Sequence, residues 1–233
     1  MRTWLLALLI ALSLSGCNTG ALPVDACVVK GNAEIDWIDF VKFDGITYSS
    51  HSASGGNPLA EDGLGAHYGT VRCRLSGNVS DPGYRAREGD AAFLEAGTPV
   101  YRVKGYDPRF RLAARRGQQI VLYEADTNPK ARIGADLLDL AGKVAYISVS
   151  PPEREIHDPE RIQELLKMVL SAPVFPPGER GGAATSGTEV YRVTFHFEDG
   201  TATTRSYWPE SGFLWAGSGL NMDESFRGTL LED

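Results

Sequence analysis

The run from Arg109 to Arg115 alternates plainly, with Phe110, Leu112 and Ala114 on one side and Arg109, Arg111 and Arg115 on the other. A period of two fits a strand with one buried and one wet face, and it does not fit a helix. Val100 to Tyr106, Gln119 to Ala125 and Val144 to Val149 read as strands of the same kind. Trp37 to Phe43 and Ile46 to Ser49 flank Asp44-Gly45, a pair suited to a two-residue hairpin turn. Short strands broken by Gly, Asp and Pro, without helices between them, predict an antiparallel barrel-like or sandwich-like sheet over 35–150.

The pattern changes after Pro151-Pro152. Asp158-Pro159-Glu160 is a helix start, because Asp caps free amides, Pro fits the first turn, and Glu favours the positive end of the dipole. Ile162, Leu165, Leu166 and Val169 follow at helical spacing until Pro173 ends the helix. Beyond a link rich in Gly and Pro, Tyr191, Val193, Phe195 and Phe197 alternate with Arg192, Thr194 and His196. Asp199-Gly200 then suits a two-residue turn that sets Tyr191 opposite Trp208, puts Thr204 and Ser206 on the buried face, and makes the return strand an edge. Strand, helix and hairpin make 151–233 a small α+β unit, either separate or continuous with the first sheet. The expected class is therefore α+β, mostly β.

The N-terminus carries an address. Arg2 precedes nine apolar residues, Trp4 to Leu12, the length of a secretory core. That run is too short for roughly 30 Å of hydrocarbon, which takes about 20 apolar residues to cross. Leu14-Ser15-Gly16-Cys17 resembles the lipobox of bacterial lipoproteins. The resemblance implies a signal peptide over 1–16 and lipidation of Cys17, and the small, polar, Pro-containing residues that follow read as a tether over 17–34 that holds a soluble domain at the extracytoplasmic face of a cell membrane or outer membrane. Each buried acyl methylene contributes about 0.8 kcal/mol, so several chains on one Cys anchor a protein without a spanning helix.

Without Arg2, 22 basic residues face 30 acidic ones, a net charge of about −8 that disfavours nucleic acid as a partner. Cys27 and Cys73 are an even pair in an oxidising compartment and are expected to form a disulfide; the alternative is two separate thiols. Such a bridge closes a loop of about 47 residues and contributes on the order of 4 kcal/mol.

No Gly-x-Ser-x-Gly, His-Glu-x-x-His, phosphate-loop, calcium-loop or dinucleotide pattern occurs. No catalytic residue, metal or cofactor is therefore assigned. The loop over 49–69 holds His51, Asp62 and His67, which could furnish a base or a ligand, but at a spacing that matches no metal motif; it reads as a surface loop. His157 and His196 read as solvated groups. Arg102, Lys104, Arg109, Arg111, Arg115 and Arg116 form a basic cluster in an acidic chain. Of these, Arg109, Arg111, Arg115 and Arg116 are the candidate anion-binding set, for lipid head groups or an acidic envelope polymer; pairing with nearby carboxylates is the plainer alternative. Tyr207, Trp208, Phe213 and Trp215 offer either a platform for a sugar or peptide or packing for the helix.

At Gly89-Asp90-Ala91, Gly97-Thr98-Pro99-Val100-Tyr101, Lys104-Gly105-Tyr106, Phe110-Arg111-Leu112-Ala113 and Asp199-Gly200 the chain resembles uncharacterised secreted bacterial lipoproteins, over about 36–226. That resemblance implies no active residue. The functional expectation is a non-enzymatic envelope module anchored by its N-terminal lipid that binds a protein, lipid or polymer. The alternative is a lipid-anchored hydrolase using carboxylates or the His51/His67 loop.

Overall fold

Asp44 and Gly45 take φ of 53° and 77°, which folds β1 (Phe40–Phe43) onto β2 (Ile46–Ser50) through the expected two-residue turn. This hairpin lies within the first of two sheets in the computed structural model, which describes residues 27–50, 56–175 and 189–232. The other strands of that sheet are β3 (Leu64–Thr70), β4 (Cys73–Arg74), β5 (Asp90–Ala91), β6 (Pro99–Val103), β7 (Arg111–Arg116) and β8 (Gln119–Thr127). Their order is β3-β6-β7-β8-β2-β1-β5-β4, and every pairing is antiparallel except β4 with β5. The sheet curls into a half-barrel. Val41, Tyr48, Val100, Leu112, Ala114, Val121 and Tyr123 fill its interior.

The second sheet takes β9 (Val144–Ser150), β10 (Arg154–Ile156), β11 (Tyr191–Phe197), β12 (Ala202–Trp208), β13 (Phe213–Ala216) and β14 (Ser218–Asn221) in the order β10-β9-β11-β12-β13-β14. Every pairing in it is antiparallel. Here the sequence reading is corrected: Val144 to Val149, assigned to the first sheet, pairs with β11 instead. The change of sheet falls between β8 and β9, before the Pro151-Pro152 link. Helix α1 (Pro159–Ser171) starts as expected, with Asp158 accepting from Arg161 N at 2.7 Å and Pro at its first position. Its apolar stripe of Ile162, Leu165, Leu166 and Val169 shares one core with Tyr191, Val193, Phe195 and Phe197. A second helix, α2 (Glu224–Leu231), adds Phe226 and Leu230 to that core.

The hairpin between β11 and β12 departs from expectation by one residue. Phe197 N donates to Thr201 O at 2.9 Å, and Gly200 N donates to Phe197 O at 2.9 Å, so three residues make the turn. Gly200 closes it at φ 82°, the left-handed last position that three-residue hairpin loops require. The partners are then Tyr191 with Tyr207, Val193 with Arg205, and Phe195 with Thr203. A one-residue slip turns every side chain over. Thr203, Arg205 and Tyr207 therefore face the core, while Thr204, Ser206 and Trp208 do not. β12 is also no edge, since β13 pairs along its far side.

The expected tether is shorter than 17–34. Cys27 and Cys73 lie at disulfide distance, with Cα atoms 5.5 Å apart. Val29 N donates to Asn78 O at 3.0 Å and Ser80 N to Val29 O at 2.9 Å, while Ile35 and Trp37 pack against Phe40, Leu75 and Val79. Residues 27–34 are thus docked along the first sheet.

Leu166 is buried and Lys167 exposed on the same turn of α1. Leu166→Ala should cost about 2 to 5 kcal/mol in denaturant melts through lost burial and a cavity, and Lys167→Ala should stay within about 0.5 kcal/mol. With Cys17→Ser in the full chain, thiol titration should find no accessible sulfhydryl until a reductant is added, and reduction should lower the melting temperature. Two thiols in the unreduced protein would contradict the bridge.

Candidate functional site

Turning β12 over places a cation inside the protein, and the first sheet has its counterpart. Arg111, expected on the wet side of β7, is fully buried at 0% exposure; Glu124 of β8 and Arg205 of β12 are each at 2%. The outer face of β7 and β8 is wet only in isolation, because the second sheet covers it. Glu124 lies between the two guanidiniums. Arg111 Nη2 donates to its Oε1 at 2.6 Å, and Arg205 Nη2 to its Oε2 at 2.9 Å. Thr203 Oγ1 donates to the same Oε2 at 2.5 Å, and Arg111 Nη1 donates to Thr201 Oγ1 at 2.9 Å. The Arg111 guanidinium carbon is 4.5 Å from the ring centroids of Tyr106 and Phe197 and 4.6 Å from that of Phe110, so aromatic faces replace part of its lost hydration. Beyond Thr201 the chain of bonds reaches Asp199, which also accepts from Tyr106 Oη at 3.0 Å.

The other basic residues are not buried with Arg111 but are held singly by partners nearer the surface. Arg109 pairs with Asp107 at 2.7 Å, a bond that holds the Asp107 carboxyl below its ordinary range. Arg115 pairs with Glu61, and Arg116 with Asp39 at 2.7 Å. Lys104 Nζ donates to Asp62 O at 2.8 Å, and Arg102 stands 5.3 Å over the Tyr68 ring. An anion at Arg109, Arg115 or Arg116 must displace a carboxylate already there. For Arg109, Arg111, Arg115 and Arg116 these contacts fit the plainer alternative, pairing with nearby carboxylates.

Cys17 and His51 lie outside the described residues. His67 is on exposed β3, its Nε2 3.1 Å from Thr70 Oγ1. His157 and His196, which are far apart in sequence, meet around one ring. Tyr146 is stacked on His196 at 4.0 Å with 5° between planes, and on His157 at 5.0 Å with 21°. Ser148 Oγ and His196 Nε2 are 2.9 Å apart, and His157 Nε2 is 2.9 Å from Glu155 Oε2. Burial holds the His196 imidazole below its ordinary pKa, with nearby Glu155 opposing. His196 is thus half-buried rather than simply solvated.

These groups belong to the face of the second sheet that turns away from α1. Register places Glu155, Ser148, Thr194 and Thr204 in one row across four strands. Ser150, Arg192, Ser206 and Trp215 form the next row. Trp208 and Phe213 follow, with ring centroids 5.7 Å apart. The late aromatics are thereby divided. Tyr207 packs edge-on against Phe226 in the core and Phe213 is buried, whereas Trp208 and Trp215 are half-buried on the outer face. Sequence reasoning missed Tyr146 and Ser148, because only the β9–β11 pairing brings them beside His196.

A separate cleft of about 630 Å³ opens at the junction of the sheets, floored by Leu59, Ile120 and Leu122 and rimmed by Asn57, Gln118 and Gln119. Among the described residues no group of three or more His, Cys, Asp or Glu is placed to hold a metal ion, and no helix is long and apolar enough to cross a membrane.

Glu124→Ala should destabilise the protein by about 3 to 5 kcal/mol, since it leaves two buried guanidiniums without their carboxylate. Arg115→Ala, which removes an exposed pair, should change stability by less than about 1 kcal/mol. Equal midpoints for the two variants in urea would show that the seam does not depend on the carboxylate.

No family model, curated protein sequence or solved structure matches the chain.

Proposed function

We propose that this chain is a bacterial envelope lipoprotein whose lipidated Cys17 holds a non-enzymatic binding module at an extracytoplasmic membrane face. The module takes its ligand on the outer face of the second sheet. The lipobox-like Leu14-Ser15-Gly16-Cys17 supports the anchor. The observation that carries the binding reading is the ordered grid of hydroxyls and rings on that face, opposite a face covered by helix and seam. Hydroxyls, an imidazole and indoles supply hydrogen bonds and flat apolar surface together, the mixture that polar ligands with ring systems use.

Two measurements test the two parts. A fatty-acid analogue fed to cells should label the wild-type chain and not Cys17→Ser; label retained in the variant would remove the anchor. Hydrogen exchange of the unlipidated chain should slow in β9, β11 and β12 on addition of solubilised envelope material, with β3 and β6 unchanged. Protection confined to the first sheet would place the binding surface elsewhere.

A further inference from the structure

We infer that the ligand of this face is an acidic glycan, with Arg192 reading its negative charge; the inference rests on the binding face proposed above. Arg192 lies in the middle strand of β9, β11 and β12, with Ser150 as its register partner on one side and Ser206 on the other. Its side chain is exposed and has no ion-pair partner among the described residues. That sets it apart from Arg109, Arg115 and Arg116, which hold Asp107, Glu61 and Asp39. The other charged side chain in these rows, Glu155, is bonded to His157. One cation is thus available in a field of hydroxyls, and a planar guanidinium suits a carboxylate or a phosphate.

The rest of the face selects a polyhydroxylated ligand. Strands about 4.8 Å apart and alternate residues about 6.7 Å apart give a mesh of donors and acceptors from Ser148, Ser150, Thr194 and Ser206. Each hydroxyl both donates and accepts, which complements a chain whose own substituents are hydroxyls. The indole of Trp208, half-buried at one end, offers surface to the apolar faces of sugar rings. Other macromolecules fit less well. Protein interfaces centre on apolar and aromatic residues and are depleted in Ser, whereas the middle of this face is Ser and Thr. Nucleic acid needs many cations, and these rows carry one arginine in a chain of net charge −7.

The test uses the full chain with Cys17→Ser and two probes of one backbone, an oligogalacturonate and its methyl ester, followed by calorimetry and tryptophan fluorescence. The acid form should bind at least about tenfold more tightly than the ester. Arg192→Gln should abolish that preference with no change in melting temperature, and Arg109→Gln should leave it intact. Equal affinity for acid and ester, with both lost in Trp208→Ala, would overturn the acidic class while leaving the binding face standing. Loss of binding in Arg109→Gln or Arg116→Gln rather than Arg192→Gln would move the anion site to the first sheet and overturn the inference. Failure of both probes at millimolar concentration would overturn the glycan assignment, and the binding face would then stand or fall on its exchange experiment.

Discussion

Glu124 accepts from a guanidinium of its own sheet and from one of the other sheet, and the relation between the sheets depends on that shared carboxylate. Taking three charges out of water costs several kcal/mol for each ion before any attraction is counted. The geometry offsets that cost with short charge-assisted bonds, the Thr203 hydroxyl, and three aromatic rings around Arg111. Apolar side chains alone would tolerate sliding of one sheet over the other. Here a shift of β12 by one residue removes Arg205 and Thr203 from the carboxylate together. Close backbone approach adds a second constraint, since a Cβ on Gly217, between β13 and β14, would lie 2.3 Å from Asp126 O of β8. Only glycine, at φ 84°, allows that contact.

This arrangement decides which surfaces are left for function. The interior of the half-barrel is packed with side chains, Tyr48 and Tyr123 being fully buried in it beside Leu112 and Val100. The inner face of the second sheet is shared between the helices and the seam. Its outer face remains, together with the cleft at the junction and the outer strands of the first sheet, where cations are paired locally. The buried network is closed to a partner by its burial, so the binding chemistry proposed above draws on side chains outside it.

Local signals were legible where local physics decides them. The Asp44-Gly45 turn, the Asp158-Pro159 helix start and the inward stripe of β11 each follow from a few neighbouring residues, and the structure has them. What failed was nonlocal or rested on turn length. Asp199-Gly200 fits a two-residue turn and equally the end of the three-residue turn Glu198-Asp199-Gly200, and that one residue decides whether Arg205 or Thr204 enters the core. Arg111 was misread for another reason. Its alternation with Leu112 is genuine, but the face it lies on is wet only until a second sheet arrives, and nothing within Arg109 to Arg115 announces one. The stack of Tyr146 with His157 and His196 was invisible for the same reason, since three strands must be ordered before the rings can meet.

The docked stretch after Cys27 bears on how such a module would stand at a membrane. If Cys17 carries the lipid, nine residues, 18–26, separate it from the docked stretch. Any chain of that length spans at most on the order of 30 Å, at about 3.3 to 3.6 Å per residue. The docked stretch is held to β4 of the first sheet through Cys27 and Cys73, and the rows proposed to face a ligand lie on the other sheet, joined to the first by the Glu124 seam. An anchor joined to one sheet and a binding face on the other, as proposed, would not compete for the same surface. The buried carboxylate would then matter twice: it joins the two sheets, and through them it would set the direction in which the proposed binding face is presented relative to the proposed anchor.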